Sequence, residues 1–224
     1  MKVVIRNEYL SAVISHKGAE LTALTDMEGR NYIWHGDPAH WGKHAPVLFP
    51  IVGRLRDDQY RYKASTYDMN RHGFARDMLF TPAEQQEQCI TFTLDDTAET
   101  LRQYPFSFAL HITYRLEEKT LHTKYTVFNK GSETMPFSIG AHPAFTLPGL
   151  FEQYSLQFAK DEPLIHYLLE GDMLTEQTAQ LTADAGKLPL SYKLFDRDAL
   201  VFKSLKSSYV DIIEEKKSLL RVNF

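Results

Sequence analysis

Two histidines in this chain have the neighbours that proton-transfer chemistry would need. His72 lies in Asn70-Arg71-His72-Gly73-Phe74, and His142 in Gly140-Ala141-His142-Pro143-Ala144-Phe145. Each has a glycine or proline beside it, in a stretch that reads as a strand end or a loop. Imidazole is the one side chain whose ordinary pKa lies near neutrality, so it can hold or release a proton under working conditions. Pro143 restricts the residue before it to extended backbone, which would aim the His142 ring at a fixed angle. Gly73 would let backbone or ligand come close to His72. Plainer readings stand beside these: a strand-end histidine bonded to backbone for His142, and a surface turn for His72.

A third stretch, Pro46-Val47-Leu48-Phe49-Pro50-Ile51-Val52-Gly53-Arg54-Leu55, is an apolar run that ends in an arginine. The planar fork of Arg54 could donate paired hydrogen bonds to sugar hydroxyls or a carboxylate. A solvated arginine at a strand end is the plainer reading. His40 and His44 have the i, i+4 spacing of two ligands on one helical turn. No glutamate stands between them as a metalloprotease would need, and Pro46 follows closely, so no metal is expected. A Gly-rich phosphate loop, a Gly-x-Ser-x-Gly elbow and a dinucleotide fingerprint are all missing, so no organic cofactor is expected either.

The elements that must position these groups have a period of two. Phe108, Leu110, Ile112, Tyr114 and Leu116 alternate with Ala109, His111, Thr113 and Arg115. Leu121, Thr123, Tyr125 and Val127 repeat the pattern after the polar turn Glu117-Glu118-Lys119-Thr120. The two segments predict an antiparallel hairpin with one buried face. By the same test, 89–94, 154–158, 199–202 and 209–213 are strands. The first thirty-five residues read as a meander, with strands over 3–6, 12–15, 20–26 and 31–34. Asn7-Glu8, Lys17-Gly18 and Glu28-Gly29 are the turns between them. One helix is predicted, over 97–103, capped by Asp95 or Asp96 and ended by Pro105. Many short strands at this size predict a large β-sandwich, one domain over residues 1–224.

A chain of 224 residues can bury a sizeable core without disulfides or metals. Hydrophobic residues make up 43% and charged residues 24%, ordinary proportions for a globular protein. The net charge is −4, from 25 basic and 29 acidic residues, and no basic cluster follows a phosphate backbone, so nucleic acid is not an expected partner. Cys89 is the one cysteine, which excludes an internal disulfide and fits a reducing compartment. The N-terminal residues read directly as a strand, without the long apolar run of a signal peptide or membrane span. A cytoplasmic protein with no membrane partner is expected.

Taken together and in order, four stretches resemble the aldose 1-epimerase (galactose mutarotase) family, and most closely its short bacterial branch. They are His44-Ala45-Pro46-Val47-Leu48-Phe49-Pro50-Ile51-Val52-Gly53-Arg54, Arg71-His72-Gly73-Phe74-Ala75-Arg76, Ile139-Gly140-Ala141-His142-Pro143-Ala144-Phe145, and Leu194-Phe195-Asp196-Arg197-Asp198-Ala199-Leu200-Val201-Phe202. The resemblance implies an all-β supersandwich of large antiparallel sheets. It implies an isomerase that interconverts the α and β anomers of a free aldose, with no metal or organic cofactor. Ring opening needs a base at the C1 hydroxyl and an acid at the ring oxygen. The resemblance makes His142 that acid and His72 a second histidine that orients or polarises the ring oxygen. It makes Arg54 a substrate-binding donor and Asp198 an acceptor for sugar hydroxyls.

Two departures from the family pattern bear on these expectations. Many members carry a bulky aromatic after the His-Pro pair, where this chain has Ala144, so the pocket could be wider or take another sugar. The family base is a glutamate on a strand near the C-terminus. Asp211, Glu214 and Glu215 fall too early to match it, and Leu219-Leu220-Arg221-Val222-Asn223-Phe224 reads as an interrupted strand. The expectation is a domain incomplete at its C-terminus and lacking that base. A non-catalytic carbohydrate-binding protein using the same pocket is the alternative. A glycoside-cleaving or lyase enzyme is the weaker third reading, since a hydrolase would need two carboxylates and Asp198 alone is a candidate. The partner is a small-molecule sugar, and a homodimer is left open.

Overall fold

The computed structural model describes residues 1–215 and 217–224. Two compact units divide the chain, Met1–Thr146 and Leu147–Phe224. Both are built from antiparallel strands, as the period-two pattern requires. Among the described residues no helix is long and apolar enough to cross a membrane.

In the first unit the strands Lys2–Arg6, Leu10–Ser15 and Leu21–Asp26 form a meander. A four-stranded sheet orders Thr120–Asn129, Phe108–Glu117, Cys89–Asp95 and Thr81–Gln85 side by side. Its central hairpin pairs Leu121 with Leu116 and Val127 with Leu110. Phe108, Leu110, Ile112, Tyr114 and Leu116 are all 2% exposed or less, so the alternating apolar set faces inward as the pattern predicts. Two short pairs complete the unit: Gln59–Tyr62 with Ser65–Asp68, and Val47–Leu48 with Gly140–Ala141.

Four aromatic rings fill the centre of this core. Phe49 and Phe108 have ring centroids 5.2 Å apart, and Phe74 and Tyr104 lie 6.1 Å from Phe108. Tilted and edge-on contacts at these distances suit the quadrupoles of the rings. The buried Tyr104 hydroxyl donates to the Pro136 carbonyl at 2.8 Å, so its polar end is satisfied. Phe49 and Phe74 belong to the stretches on either side of the His72 turn, and their rings anchor those stretches.

In the second unit, Lys187–Pro189, Tyr154–Phe158, Tyr209–Glu214 and Lys217–Asn223 form one sheet. Leu164–Glu170 and Met173–Leu181 form a separate hairpin. Phe158, Leu164 and Leu188 make its small core.

Three elements differ from the sequence expectation, each because a side chain competes with the backbone ladder. Residues 31–34 form isolated bridges rather than a strand, because Asn31 Oδ1 accepts the Leu24 and Ile33 N–H groups. Residues 199–202 keep one bridge, Val201 to Tyr167, because Asp198 sits at φ 73° with its carboxylate on the Ala199 N–H. The helix Ala98–Gln103 is capped by Thr97, not Asp95 or Asp96. The Thr97 hydroxyl accepts the Thr100 N–H, and Thr100 returns the bond. Asp96 is engaged elsewhere, accepting the Ser107 hydroxyl and the Phe108 N–H.

Phe108 is fully buried among three other aromatic rings. Phe108→Ala is therefore expected to cost about 3–5 kcal/mol of stability, the usual size for a buried phenylalanine. Urea unfolding monitored by circular dichroism checks it. A loss below about 1 kcal/mol would mean that this cluster does not hold the first unit together.

Candidate active site

His142 is carried by a short antiparallel pairing. Gly140 and Ala141 pair with Leu48 and Val47. The ladder continues past the strand ends: the His142 N–H donates to the Pro46 carbonyl at 3.0 Å, and the Ala144 N–H to the His44 carbonyl at 2.9 Å. Prolines are tolerated here because each needed contact uses a carbonyl, not the missing N–H. Glu20 secures the other side of this run. Its Oε1 accepts the His44 N–H at 2.6 Å and the Ala45 N–H at 3.0 Å.

His72 is held by its own backbone and ring. Its φ is 69°, in the left-handed region that non-glycine residues seldom adopt. Its N–H donates to the Gly53 carbonyl at 2.8 Å, and the Gly53 N–H donates back to its Nδ1 at 3.0 Å. An amide donor at Nδ1 requires that nitrogen to be unprotonated. The neutral ring then carries its hydrogen on Nε2, as a donor. Burial, and then the charges of Arg76, Arg71 and His142, push the His72 pKa down to about 4. His72 is thus a neutral hydrogen-bond donor at physiological pH.

The next residue explains how the turn is seated. Gly73 also has φ 69°, and a Cβ there would lie 2.2 Å from the Phe49 carbonyl oxygen. That oxygen accepts two N–H groups, from Phe74 and Ala75, both at 3.1 Å. The close approach that the glycine permits is with backbone.

These two constructions bring His72 and His142 together. Their ring centroids are 5.8 Å apart at 64°. A cavity of about 290 Å³ opens beside them, lined by Trp41, Pro46, Leu48, Arg71 and Arg76 as well as the two histidines. That is near the lower end of the ~300–1,000 Å³ typical of small-ligand sites. Trp41 lies 5.1 Å from the His142 ring, and its loop is fixed by the Trp34 Nε1–H donating to the Trp41 carbonyl at 2.8 Å. Arg76 Nη2 donates to the Arg71 carbonyl at 2.8 Å, tying the ends of the His72 turn together. Among the described residues that line the cavity there is no carboxylate.

Arg54 follows Gly53 but does not line this cavity. Its guanidinium meets Asp58 in a two-bond fork, Nε to Oδ1 at 2.8 Å and Nη2 to Oδ2 at 2.7 Å. Asp198 lies in the second unit, exposed, on the left-handed turn after Tyr192–Phe195. His40 and His44 do not share a helical turn: His40 sits in a turn at 37–41, and His44 in a bend whose carbonyl accepts the Ala144 N–H. No group of three or more metal-ligating side chains is found among the described residues.

Trp41, Arg71 and Arg76 are the lining residues that sequence reasoning does not single out. Arg71 and Arg76 flank the His72 turn in sequence, which is a signal of a kind. Nothing local marks Trp41, because a pairing between residues about ninety positions apart brings His142 to it.

The aldose 1-epimerase family model matches residues 1–185. The chain is 36% identical to the plasmid-encoded protein LacX of Lactococcus lactis subsp. lactis, over 100% of this chain and 80% of that protein. Among solved structures, a galactose mutarotase related enzyme from Lactobacillus acidophilus superposes with a TM-score of 0.92 at 34% identity. That match covers 96% of this chain and 74% of the other. A galactose mutarotase-like protein from Lactobacillus casei gives 0.91 at 34% identity, covering 96% of this chain and 76% of the other. The all-β, galactose mutarotase-like fold follows from these likenesses.

The geometry sets two expected outcomes. Long-range ¹H–¹⁵N spectra should show His72 as the Nε2–H tautomer, titrating near about 4 rather than its ordinary 6.5. The unfolded chain takes up this proton first as pH falls. Stability relative to His72→Gln should therefore decline from pH 6.5 to about 4 and level off below. A His72 titration near 6.5 would contradict the assignment. Gly73→Ala should cost more than about 1 kcal/mol, since alanine must enter a left-handed conformation against a carbonyl. A thermal melt equal to wild type would show that the turn can reseat freely.

Proposed function

This chain belongs to the aldose 1-epimerase family, and we propose that it is an isomerase interconverting the α and β anomers of an aldose by acid–base ring opening. The observation that carries the proposal is the pair of histidines at one cavity, 5.8 Å apart, with His72 fixed as a neutral Nε2–H donor. Opening the ring breaks the bond between C1 and the ring oxygen. The oxygen gains a proton and the C1 hydroxyl loses one, leaving an open-chain aldehyde. Rotation about the bond from C1 to C2 and reclosure give the other anomer.

His142 is the group that gives its proton to the ring oxygen and takes it back on closure. Its ring is exposed beside Trp41, with its backbone held on both sides by the 44–48 run. His72 polarises the same oxygen through its Nε2–H without changing its own charge. A donor already fixed in place costs no reorganisation as charge develops. The Trp41 face offers a platform for the apolar side of a sugar ring. The base for the C1 hydroxyl is not among the described lining residues, so these residues account for the ring-oxygen half of the reaction. Arg54 is proposed as a substrate-binding donor next to Gly53, whose backbone holds His72 at both its amide and its ring Nδ1. Asp198 is proposed, on the family resemblance of residues 194–202, to accept hydrogen bonds from sugar hydroxyls.

His142→Ala should slow anomer equilibration by roughly 10²–10⁴-fold, the usual size for a lost general acid. Polarimetry on freshly dissolved α-galactose and α-glucose measures it. A variant as fast as wild type would remove His142 from the mechanism.

A further inference from the structure

The turn at residues 15–20 touches both arms of the candidate site. Toward the His72 arm, the Gly18 N–H donates to the Met78 carbonyl and the Phe80 N–H to the His16 carbonyl, both at 2.8 Å. Gly18 has φ 70°, and a Cβ there would lie 2.7 Å from the Arg76 carbonyl oxygen. The turn is therefore seated directly on the backbone four residues past His72. The core holds it from behind: Ala19 is fully buried, and its carbonyl accepts the Tyr114 hydroxyl at 2.8 Å. The Ser15 N–H donates to the Glu20 carbonyl at 2.8 Å, which closes the turn.

Toward the His142 arm the turn presents the side chain of Glu20. Its Oε1 accepts the His44 and Ala45 N–H groups, while the carbonyls of His44 and Pro46 accept the Ala144 and His142 N–H groups. Residues 44–46 are thus a strip that Glu20 holds by its amides and that holds His142 by its carbonyls. The Glu20 side chain is only 13% exposed. Withdrawing a charge from water is costly unless hydrogen bonds replace the water, and bonds to an ionised acceptor are roughly twice as strong as neutral ones. Two amides converging on one oxygen supply that replacement. Glu20 Oε1 lies 3.9 Å from His44 Nδ1, beyond hydrogen-bond reach, so the carboxylate acts on the backbone of the strip and not through that ring.

Resting on the mutarotase reading above, we propose that Glu20 is a positioning residue for the reaction: its carboxylate sets where His142 stands relative to His72. It can do so because the turn that carries it is itself fixed to the His72 arm. Glu20 touches no reacting atom. It matters because a proton donor misplaced by about 1 Å can lose about 10²-fold in rate.

The test compares Glu20→Gln and Glu20→Asp in the full chain, with α/β exchange of glucose and galactose followed by two-dimensional NMR. Thermal melts establish that each variant is folded at the assay temperature. Glutamine keeps the length and an acceptor oxygen, whereas aspartate keeps the charge but ends one methylene short. The expected kcat falls by about 3-fold or less for Glu20→Gln and by about 10–10²-fold for Glu20→Asp, with KM within about 3-fold of wild type. In a His142→Ala background Glu20→Asp should add no further loss, because it acts through that histidine. The ring ¹H–¹⁵N signals of His142 should shift in Glu20→Asp, while His72 keeps its Nε2–H pattern. A wild-type kcat in Glu20→Asp, or a slower Glu20→Gln than Glu20→Asp, would overturn the proposal and leave the mutarotase reading standing. A raised KM at unchanged kcat would assign Glu20 to the cavity wall and overturn it too, as would an equal loss with and without His142. Absence of exchange in the wild type would sink the mutarotase reading instead; the His142 ring signals would then decide the positioning by themselves, unchanged signals overturning it.

Discussion

The close approach of Gly73 to the Phe49 carbonyl is the contact on which the candidate site depends. A side chain at position 73 would begin 2.2 Å from that oxygen, so the two backbones can meet only because none is present. The same oxygen takes the N–H groups of Phe74 and Ala75, and the Phe49 and Phe74 rings enter one aromatic core. The carbonyl therefore ties the turn holding His72 to the best-packed part of the first unit. His72 pays for its place with a left-handed backbone, a conformation that costs of order 1–3 kcal/mol and persists only when its surroundings enforce it.

From this contact the division of labour between the histidines follows. The backbone of Gly53 clasps His72 at both its amide and its ring, which leaves one nitrogen to donate. Burial and two arginines keep that ring neutral. Among the described residues His142 has no such clasp on its ring; its backbone is held, by the ladder to Pro46 and by Ala144 to His44. A neutral, fixed donor beside a more exposed imidazole is an arrangement in which one group polarises an oxygen and the other moves a proton. Glu20 supports it at a distance, since its carboxylate secures the two amides that begin the His142 ladder.

Much of this was legible in the sequence where a residue constrains its own backbone. Pro143 and Gly73 marked both histidines, and strict alternation from Phe108 to Leu116 marked the core hairpin. The misreadings came where a polar side chain takes a partner that the ladder would otherwise use, as Asn31, Thr97 and Asp198 do. Such choices depend on where a neighbour lies, and apolar periodicity does not register them. The arginine lining does not stand out in the sequence for a related reason. Arg71 and Arg76 reach one cavity only because the turn between them folds back on itself, with the Arg76 side chain on the Arg71 carbonyl. Trp41 was hidden altogether, since only the distant pairing of residues 47–48 with 140–141 brings His142 beside it.

A crystal structure with a bound aldose tests the central claim most directly. The account predicts a sugar in the cavity beside Trp41, its ring oxygen within hydrogen-bond reach, roughly 2.6–3.2 Å, of a nitrogen on both His72 and His142. A sugar bound there with its ring oxygen turned away from the histidines, or bound only outside this cavity, would contradict it.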